Sequence, residues 1–235
     1  QTRGRIPEVL KPGDVTSATR LALVNAIYLK APWLRPFQAD QTTDEPFTKL
    51  DGSTVEVPTM HTTHGSCGTG AGWGAFELRY IGNTVSMLVV VPDDLAAFEA
   101  SLDEAALAEV SRVVRQGFAS PDLTMPRFGF ETREELSAVL AELGMPDAFD
   151  PDVADFSGMT GARELFIGRV IHQANISVDE KGTEAAAVTV VGMDVTGGPS
   201  DICTVHADRP FIFAVRDVET GAILFMGRVV DPSAT

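Results

Sequence analysis

The sequence predicts a single α+β domain, a class in which antiparallel strands and a few helices occupy separate regions. Two pairs of strand-like segments are each joined by a short turn, and helical periodicity is confined to the middle of the chain. The alternation of strands and crossover helices that builds a parallel sheet is missing from the sequence. No linker rich in Pro, Gly and Ser separates two cores, so we expect residues 1–235 to form one domain.

The first strands are predicted from apolar runs and from alternation. Residues 19–29 form an apolar, strand-like run, and residues 55–58 form a shorter one. Residues 76–81 alternate apolar and polar side chains, and Gly82-Asn83 then turns the chain into the apolar run 84–91. This arrangement predicts a β-hairpin with one half-buried and one fully buried strand.

A second hairpin is predicted near the C-terminus. Residues 218–221 have turn chemistry and separate the apolar runs 211–215 and 223–230. Between the two hairpins, residues 95–114 carry apolar side chains at helical spacing, which predicts either one helix or two.

A further helix is predicted over residues 133–143. Its apolar positions follow helical spacing, Thr132 is the predicted N-cap, and Glu135 stands three residues later, as in a capping box. Gly144 and Pro146 are typical residues for the end of a helix.

The composition argues against several classes of partner. A formal net charge of −15 repels phosphate backbones, so we expect no nucleic-acid partner. The strongest apolar run, Val85–Val91, is far shorter than the roughly 18–20 residues of a membrane helix, so we expect no membrane partner. The two cysteines, Cys67 and Cys203, are too few for a disulfide framework, and free thiols are favoured over one bridge.

The sequence contains no convincing catalytic or metal-binding set. His61 and His64 have a spacing compatible with zinc, but no acidic or cysteine partner accompanies them at metal-ligand spacing. Residues 70–75 satisfy GxGxxA, yet an alternating strand follows where a dinucleotide site requires a helix. His172 lies in an apolar strand pattern typical of a core histidine. We therefore expect no enzyme activity, no cofactor and no metal.

Residues 182–198 combine the alternation of a strand with the Gly and Pro residues of a loop. The odd-numbered positions from 183 to 195 are uncharged, whereas both acidic residues, Glu184 and Asp194, occupy even positions. A period of two is what a strand with one buried face requires. Gly182 provides a flexible start, and the pattern ends in a Gly- and Pro-containing stretch that is typical of a cleavable loop. An ordinary edge strand would show the same alternation, so parity alone leaves both interpretations open.

A series of motifs resembles the serpin family from about Ser17 to Pro232. In chain order they are Asn25–Trp33, Glu77–Gly82 with Ser86-Met87, Leu143–Met145 with Ala148-Phe149 and Ala154–Met159, His172–Ala174 with Val178–Ala187, Ala207–Phe211, and Leu224–Val229. Each motif is moderately specific, and their common order is very specific. The resemblance implies the serpin fold, with three β-sheets and surrounding helices. It also implies that this chain lacks roughly the N-terminal third, and that a monomer is completed by that missing part of the same protein.

The resemblance implies an inhibitor of serine-type proteases that acts as a suicide substrate. The protease attacks a reactive-centre loop at about residues 180–200 and forms a covalent acyl-enzyme, and the cleaved loop then inserts into the main sheet. No Lys or Arg occurs between Gly182 and Arg209, so an elastase-, chymotrypsin- or subtilisin-like target is favoured over a trypsin-like one. The alternative is a non-inhibitory serpin fold used for binding or as a chaperone, and the small hinge residues argue against it.

The same resemblance assigns site residues. The predicted reactive bond joins Thr196 and Gly197, with Met193 and Val195 as alternative positions. The predicted hinge consists of small or flexible residues and one acid: Glu180, Gly182, Thr183, Ala185, Ala186 and Ala187. Asn25 and His172 match a hydrogen-bonded shutter pair on the central strands. Trp33 and Arg127 match the breach, where the loop first enters the sheet and where Arg127 is expected to pair with Glu180.

Overall fold

A computed structural model describes residues 9–17, 19–117, 121–183 and 202–234. The chain divides into two compact units. The first unit combines Gln1–Leu29 with Phe130–Ile176, and the second combines Lys30–Gly129 with Ser177–Thr235. The described strands form three sheets of five, four and five strands, as the predicted fold class requires.

The described strands are β1 (Leu21–Tyr28), β2 (Ala31–Pro32), β3 (Thr43–Thr48), β4 (Thr54–Thr62), β5 (Ser66–Gly70), β6 (Trp73–Arg79), β7 (Val85–Pro92), β8 (Pro121–Pro126), β9 (Phe128–Glu135), β10 (Ile167–Asp179), β11 (Gly182–Thr183), β12 (Cys203–His206), β13 (Phe211–Asp217) and β14 (Ile223–Val229). The helices are α1 (Leu95–Ser101), α2 (Glu104–Arg115), α3 (Ser137–Glu142) and α4 (Ser157–Thr160), with 3-10 turns at Ala39–Gln41 and Pro146–Phe149. Among the helices of the described ranges, none has the length and apolar character of a membrane-spanning segment.

Both predicted hairpins are present in the second unit. Together with β5 they form a five-stranded sheet in the order β14-β13-β7-β6-β5. Strand β7 lies between β6 and β13, and nearly all of its residues are buried, which explains why its sequence is apolar apart from Ser86. Helix α2 packs on this sheet through a cluster of small and branched apolar side chains: Ala75, Leu88, Val90, Val110 and Val114.

The helical pattern over residues 95–114 forms two helices rather than one. Asp94 caps α1 by accepting a hydrogen bond from the amide of Ala97 at 3.0 Å. Asp103 caps α2 in the same way, accepting from the amide of Ala106 at 2.8 Å. The break occurs because the extended backbone of a capping aspartate cannot also be the interior of a continuous helix.

The second unit also contains a four-stranded sheet in the order β12-β8-β4-β3. Strand β12 pairs in parallel with β8, so Cys203 stands opposite Pro121. A disulfide bond joins Cys203 to Cys67 on β5 of the neighbouring sheet, and the preference for free thiols was therefore wrong. The two cysteines are 136 residues apart in sequence, but the fold brings their Cα atoms to 6.2 Å, within the usual range for a bridge.

In the first unit, β1 pairs in parallel with β10 from Leu21 opposite Ile167 to Tyr28 opposite Asn175. The helix predicted over 133–143 starts later than expected, because β9 continues to Glu135 and α3 covers only Ser137–Glu142. Pairing of β9 with β10 overrides the local helical pattern. Thr132 therefore lies inside a strand and is not an N-cap.

Candidate functional site

The predicted hinge begins at a tight turn that joins β10 to β11. Asp179 pairs with Gly182 and Val178 with Thr183, both antiparallel. On its other edge, β11 pairs with β2, where Gly182 stands opposite Pro32 and Thr183 opposite Ala31. The first two strand residues after the turn therefore lie between two strands.

Gly182 is required by this geometry. Its φ of 138° lies in a region that other residues rarely adopt, and a Cβ atom there would lie 2.3 Å from the carbonyl oxygen of Ala31. The turn therefore brings the backbone of β11 closer to β2 than any side chain at this position would permit.

Glu180 lies in the turn and is 7% exposed. Its Oε1 accepts hydrogen bonds from the hydroxyl of Thr42 at 2.6 Å and from Nε of Arg127 at 2.8 Å, and Nη2 of Arg127 forms a second contact with the same oxygen. Burial acts to raise the pKa of Glu180, but the hydrogen bonds from Arg127 and Thr42 outweigh it and hold the pKa below its usual value. The structure thus brings together Arg127 and Glu180, which were expected to pair.

Trp33 holds the same turn from the side of β2. Its indole Nε1 donates to the carbonyl oxygen of Asp179 at 2.9 Å, and its backbone amide donates to the carbonyl oxygen of Lys181 at 2.9 Å. The amide of Phe37 donates to the carbonyl oxygen of Glu180 at 2.9 Å. Three consecutive carbonyl groups of the turn are therefore bound by residues that follow β2.

Thr183 is completely buried, and its hydroxyl lies 2.7 Å from the hydroxyl of Tyr80. Tyr80 is 1% exposed, and its ring stacks on the indole of Trp33 with a centroid distance of 4.4 Å. Burial raises the pKa of Tyr80, against a smaller opposing effect of the hydrogen bond to Thr183, so the phenol is neutral and can donate. Sequence reasoning quoted Tyr80 within a motif but gave it no role, and it did not identify Thr42.

The predicted shutter residues belong to the first unit. Asn25 on β1 and His172 on β10 are register partners. Asn25 is exposed and His172 is half-buried. In the part of the chain that the structure describes, β1 and β10 are direct neighbours, and the side chains of Asn25 and His172 are not hydrogen-bonded to each other.

The remaining predicted residues fall in the segment that the structure leaves out. These are Ala185, Ala186, Ala187, Met193, Val195, Thr196 and Gly197, which lie outside the described residues. The described residues on either side of this segment end at Thr183 and resume at Ile202.

The two closely spaced histidines contact different partners. Nε2 of His61 lies 2.6 Å from Oε1 of Glu45, and Nδ1 of His64 lies 3.3 Å from Nη1 of Arg35. Over residues 9–17, 19–117, 121–183 and 202–234, no group of three or more His, Cys, Asp or Glu side chains is arranged to hold a metal ion.

Comparison with known proteins adds sequence relationships to this geometry. The family model described as "Serpin (serine protease inhibitor)" matches residues 1–232. The leukocyte elastase inhibitor of Homo sapiens is 36% identical over 254 residues, which cover 99% of this chain and 64% of that protein. Plasminogen activator inhibitor 1 of Bos taurus is 36% identical over 245 residues, covering 98% of this chain and 59% of that protein. The chain thus spans less than two thirds of the length of these relatives.

Solved structures also match almost the whole of this chain. The native state of tengpin, a thermophilic serpin, superposes with a TM-score of 0.85 at 28% identity, covering 98% of this chain and 60% of that one. Uncleaved ovalbumin superposes with a TM-score of 0.83 at 29% identity, covering 99% and 60%. Thyroxine-binding globulin in complex with thyroxine also reaches 0.83, at 28% identity, covering 98% and 61%.

Proposed function

The chain belongs to the serpin family, and from this premise we propose that it inhibits a serine-type protease as a suicide substrate. The observation that carries the proposal is the hinge. Gly182 and Thr183 already run antiparallel to β10, which is the direction in which an inserted loop has to continue. The relatives at 36% identity are named as inhibitors, in agreement with this function.

The chemical step belongs to the protease and leaves it attached to the loop. The serine hydroxyl of the protease attacks the carbonyl carbon of Thr196, the bond between Thr196 and Gly197 breaks, and Gly197 leaves as an amine that takes up the proton lost by the serine. Thr196 is then joined to the protease by an ester. This chain contributes the loop that the protease attacks and the free energy of loop insertion after cleavage. It needs no catalytic group of its own.

The register of the hinge supports a position for the cleaved loop. If the pairing of Thr183 with Val178 continues, Val195 comes to stand opposite Phe166, next to the start of β10. Residues 183–195 therefore have the length to follow the whole of β10, and insertion requires β1 to separate from β10 along their common ladder. The uncharged odd positions supply the face that is to be buried.

The free energy of insertion comes from strand pairing. About a dozen residues gain ladder hydrogen bonds at roughly 0.5–1.5 kcal/mol each, which gives a gross gain on the order of 10 kcal/mol before the cost of ordering the chain. The uninserted fold is then kinetically trapped rather than the most stable state. An attached protease is carried along with its ester bond as the loop inserts.

The proposed target class follows from the loop composition. The loop offers no basic residue to the acidic pocket of a trypsin-like protease, because none occurs between Gly182 and Arg209. The name of the leukocyte elastase inhibitor is consistent with an elastase-like target. The non-inhibitory alternative, a binding function, has one related observation, since a solved serpin of the same fold carries thyroxine.

Incubation with four proteases tests the proposal. The protein as its gene encodes it is mixed with elastase, chymotrypsin, subtilisin and trypsin, and the products are analysed on denaturing gels and by thermal unfolding. We expect an SDS-stable complex with at least one of the first three proteases, and a gain in thermal stability after cleavage. Cleavage of the loop with neither outcome would exclude the inhibitory function and leave the binding function.

A further inference from the structure

The contact between Tyr80 and Thr183 joins two buried hydroxyl groups, one of them on the first loop residue after Gly182. Their oxygens are 2.7 Å apart, and the two residues are 1% and 0% exposed. A buried hydroxyl that loses its partner keeps its full cost of desolvation. The bond therefore favours the arrangement in which Thr183 is docked between its neighbouring strands.

Tyr80 is also held by contacts other than its bond to Thr183. It follows β6 directly, and its amide donates to the carbonyl oxygen of Val85 at 3.0 Å, which ties it to the hairpin of β6 and β7. Its ring stacks on Trp33 with an interplanar angle of 12°, and the two residues also form a backbone bridge. Packed elements therefore hold the phenol through contacts that do not involve Thr183, which is how a pre-organised site is built.

Thr183 is docked in the register from which insertion starts. It stands opposite Val178 of β10 on one side and Ala31 of β2 on the other. A loop that continues from this position enters a sheet as the next residues of the same strand. The later residues of the loop then pair in the register that Thr183 has already set.

We propose that Tyr80 is a positioning residue for inhibition, because its hydroxyl holds Thr183 in the register from which the cleaved loop enters the sheet. This inference rests on the proposed function. After acylation, insertion competes with hydrolysis of the ester, and the ratio of cleaved to trapped inhibitor measures that competition. A hinge that spends time undocked inserts later and loses more molecules to hydrolysis.

Single hydroxyl deletions test the role of this bond. Tyr80→Phe keeps the aromatic stack on Trp33 and removes the phenol oxygen, and Thr183→Val keeps the shape of the side chain. We expect each change to raise the ratio of cleaved to trapped inhibitor by about 2- to 12-fold, the factor that corresponds to one net hydrogen bond. The double variant should show no more than the larger single effect, because both changes remove the same bond.

Two matched variants separate positioning from general stability. Thr183→Ser keeps a hydroxyl at the hinge and should retain the parent ratio. Thr124→Val removes a hydroxyl from another buried threonine, on β8, and should also leave the ratio unchanged. The proposal is wrong if Tyr80→Phe behaves like Thr124→Val, or if the effects of Tyr80→Phe and Thr183→Val multiply in the double variant.

A measurement without protease distinguishes failure of this inference from failure of the proposed function. Hydrogen–deuterium exchange of the peptide containing Gly182 and Thr183 reports docking directly, and Tyr80→Phe should accelerate it by the same factor of about 2 to 12. A parent protein whose loop is cleaved without an SDS-stable complex and without a gain in thermal stability excludes the inhibitory function. Unchanged exchange in Tyr80→Phe excludes the positioning role, whether or not the parent inhibits.

Discussion

The described residues at the start of the predicted reactive-centre loop and just after its end are held in different ways. At its start, the turn from Asp179 to Thr183 is held by hydrogen bonds from Trp33, Arg127 and Tyr80. Just after its end, Cys203 is fixed by a disulfide to Cys67, and β12 is paired along its length with β8. The start thus has reversible anchors and the end a covalent one. This difference suits a loop that is cut between its ends, because the part before the cut has to move and the part after it does not.

The largest expected effect comes from placing a charge at the reversible end. Thr183→Arg would put a guanidinium where the side chain is completely buried against Tyr80. Burying an unpaired charge costs several kcal/mol, so docking fails and the protein becomes a substrate. We expect the yield of SDS-stable complex to fall by at least about 100-fold, the equivalent of roughly 2.7 kcal/mol.

The control for this variant is the exposed neighbour. Lys181→Ala leaves the backbone carbonyl that Trp33 binds and should keep the parent yield of complex. Retained inhibition by Thr183→Arg would contradict insertion from this register.

The covalent end is tested by removing the bridge. The double variant Cys67→Ser and Cys203→Ser should unfold with a loss of about 2–4 kcal/mol, because the bridge closes a loop of 136 residues. Thermal unfolding with and without reductant measures the effect, and the double variant itself should be insensitive to reductant. Titration of two free thiols in the unfolded, unreduced parent would show that no bridge forms.

A smaller and pH-dependent effect is expected for Glu180→Gln. The pKa of Glu180 is lowered in the folded state, so its stabilising contribution is present above the ordinary pKa of glutamate, ~4.3. The contribution disappears as the pH falls through the lower, folded pKa. Because the Arg127 side chain is 46% exposed, we expect only about 1 kcal/mol at neutral pH.

Thermal unfolding as a function of pH checks this sign. The difference in unfolding temperature between parent and Glu180→Gln should be largest near neutral pH and shrink below about pH 4. A difference that grows towards acid pH would mean that Glu180 is not held as a carboxylate by Arg127 and Thr42.

The smallest expected effect concerns the strands that the loop has to separate. Asn25→Ala should change the free energy of unfolding by less than about 0.5 kcal/mol, because Asn25 is exposed and not bonded to His172. The rate of spontaneous loss of inhibitory activity should change equally little. A several-fold acceleration of that loss would instead support the shutter role predicted from the sequence and place part of the control away from the hinge.

The sequence predicted what depends on local pattern or on a specific motif. Alternation in residues 76–81 and the apolar run after Gly82-Asn83 gave the first hairpin, because side-chain parity and turn chemistry are local. The pair Glu180 and Arg127 came from resemblance, since nothing local links residues 53 positions apart. The contact of Tyr80 with Thr183 spans 103 residues, and the sequence around either residue does not predict it.

Two predictions failed for the same physical reason. The helical spacing after Thr132 is real, but β9 continues to Glu135 because its neighbour β10 supplies a ladder that the local sequence does not reveal. The cysteine bridge was missed because the proximity of β5 and β12 is a property of the assembled sheets. Long-range pairing decides both cases.

The fixed register of Thr183 opposite Val178 has a consequence for engineering this protein. If the loop inserts as proposed, the face on which each later residue lies is determined by its distance in sequence from Thr183. If the proposed function is right, residues near Thr196 can therefore be exchanged to redirect inhibition to another protease. Inserting or deleting a single residue between Thr183 and Thr196 would instead reverse the alternation of faces beyond that point. Glu184 or Asp194 would then face the interior. The proposed insertion would therefore tolerate substitutions near the cleaved bond, whereas the length of the loop would have to change in steps of two.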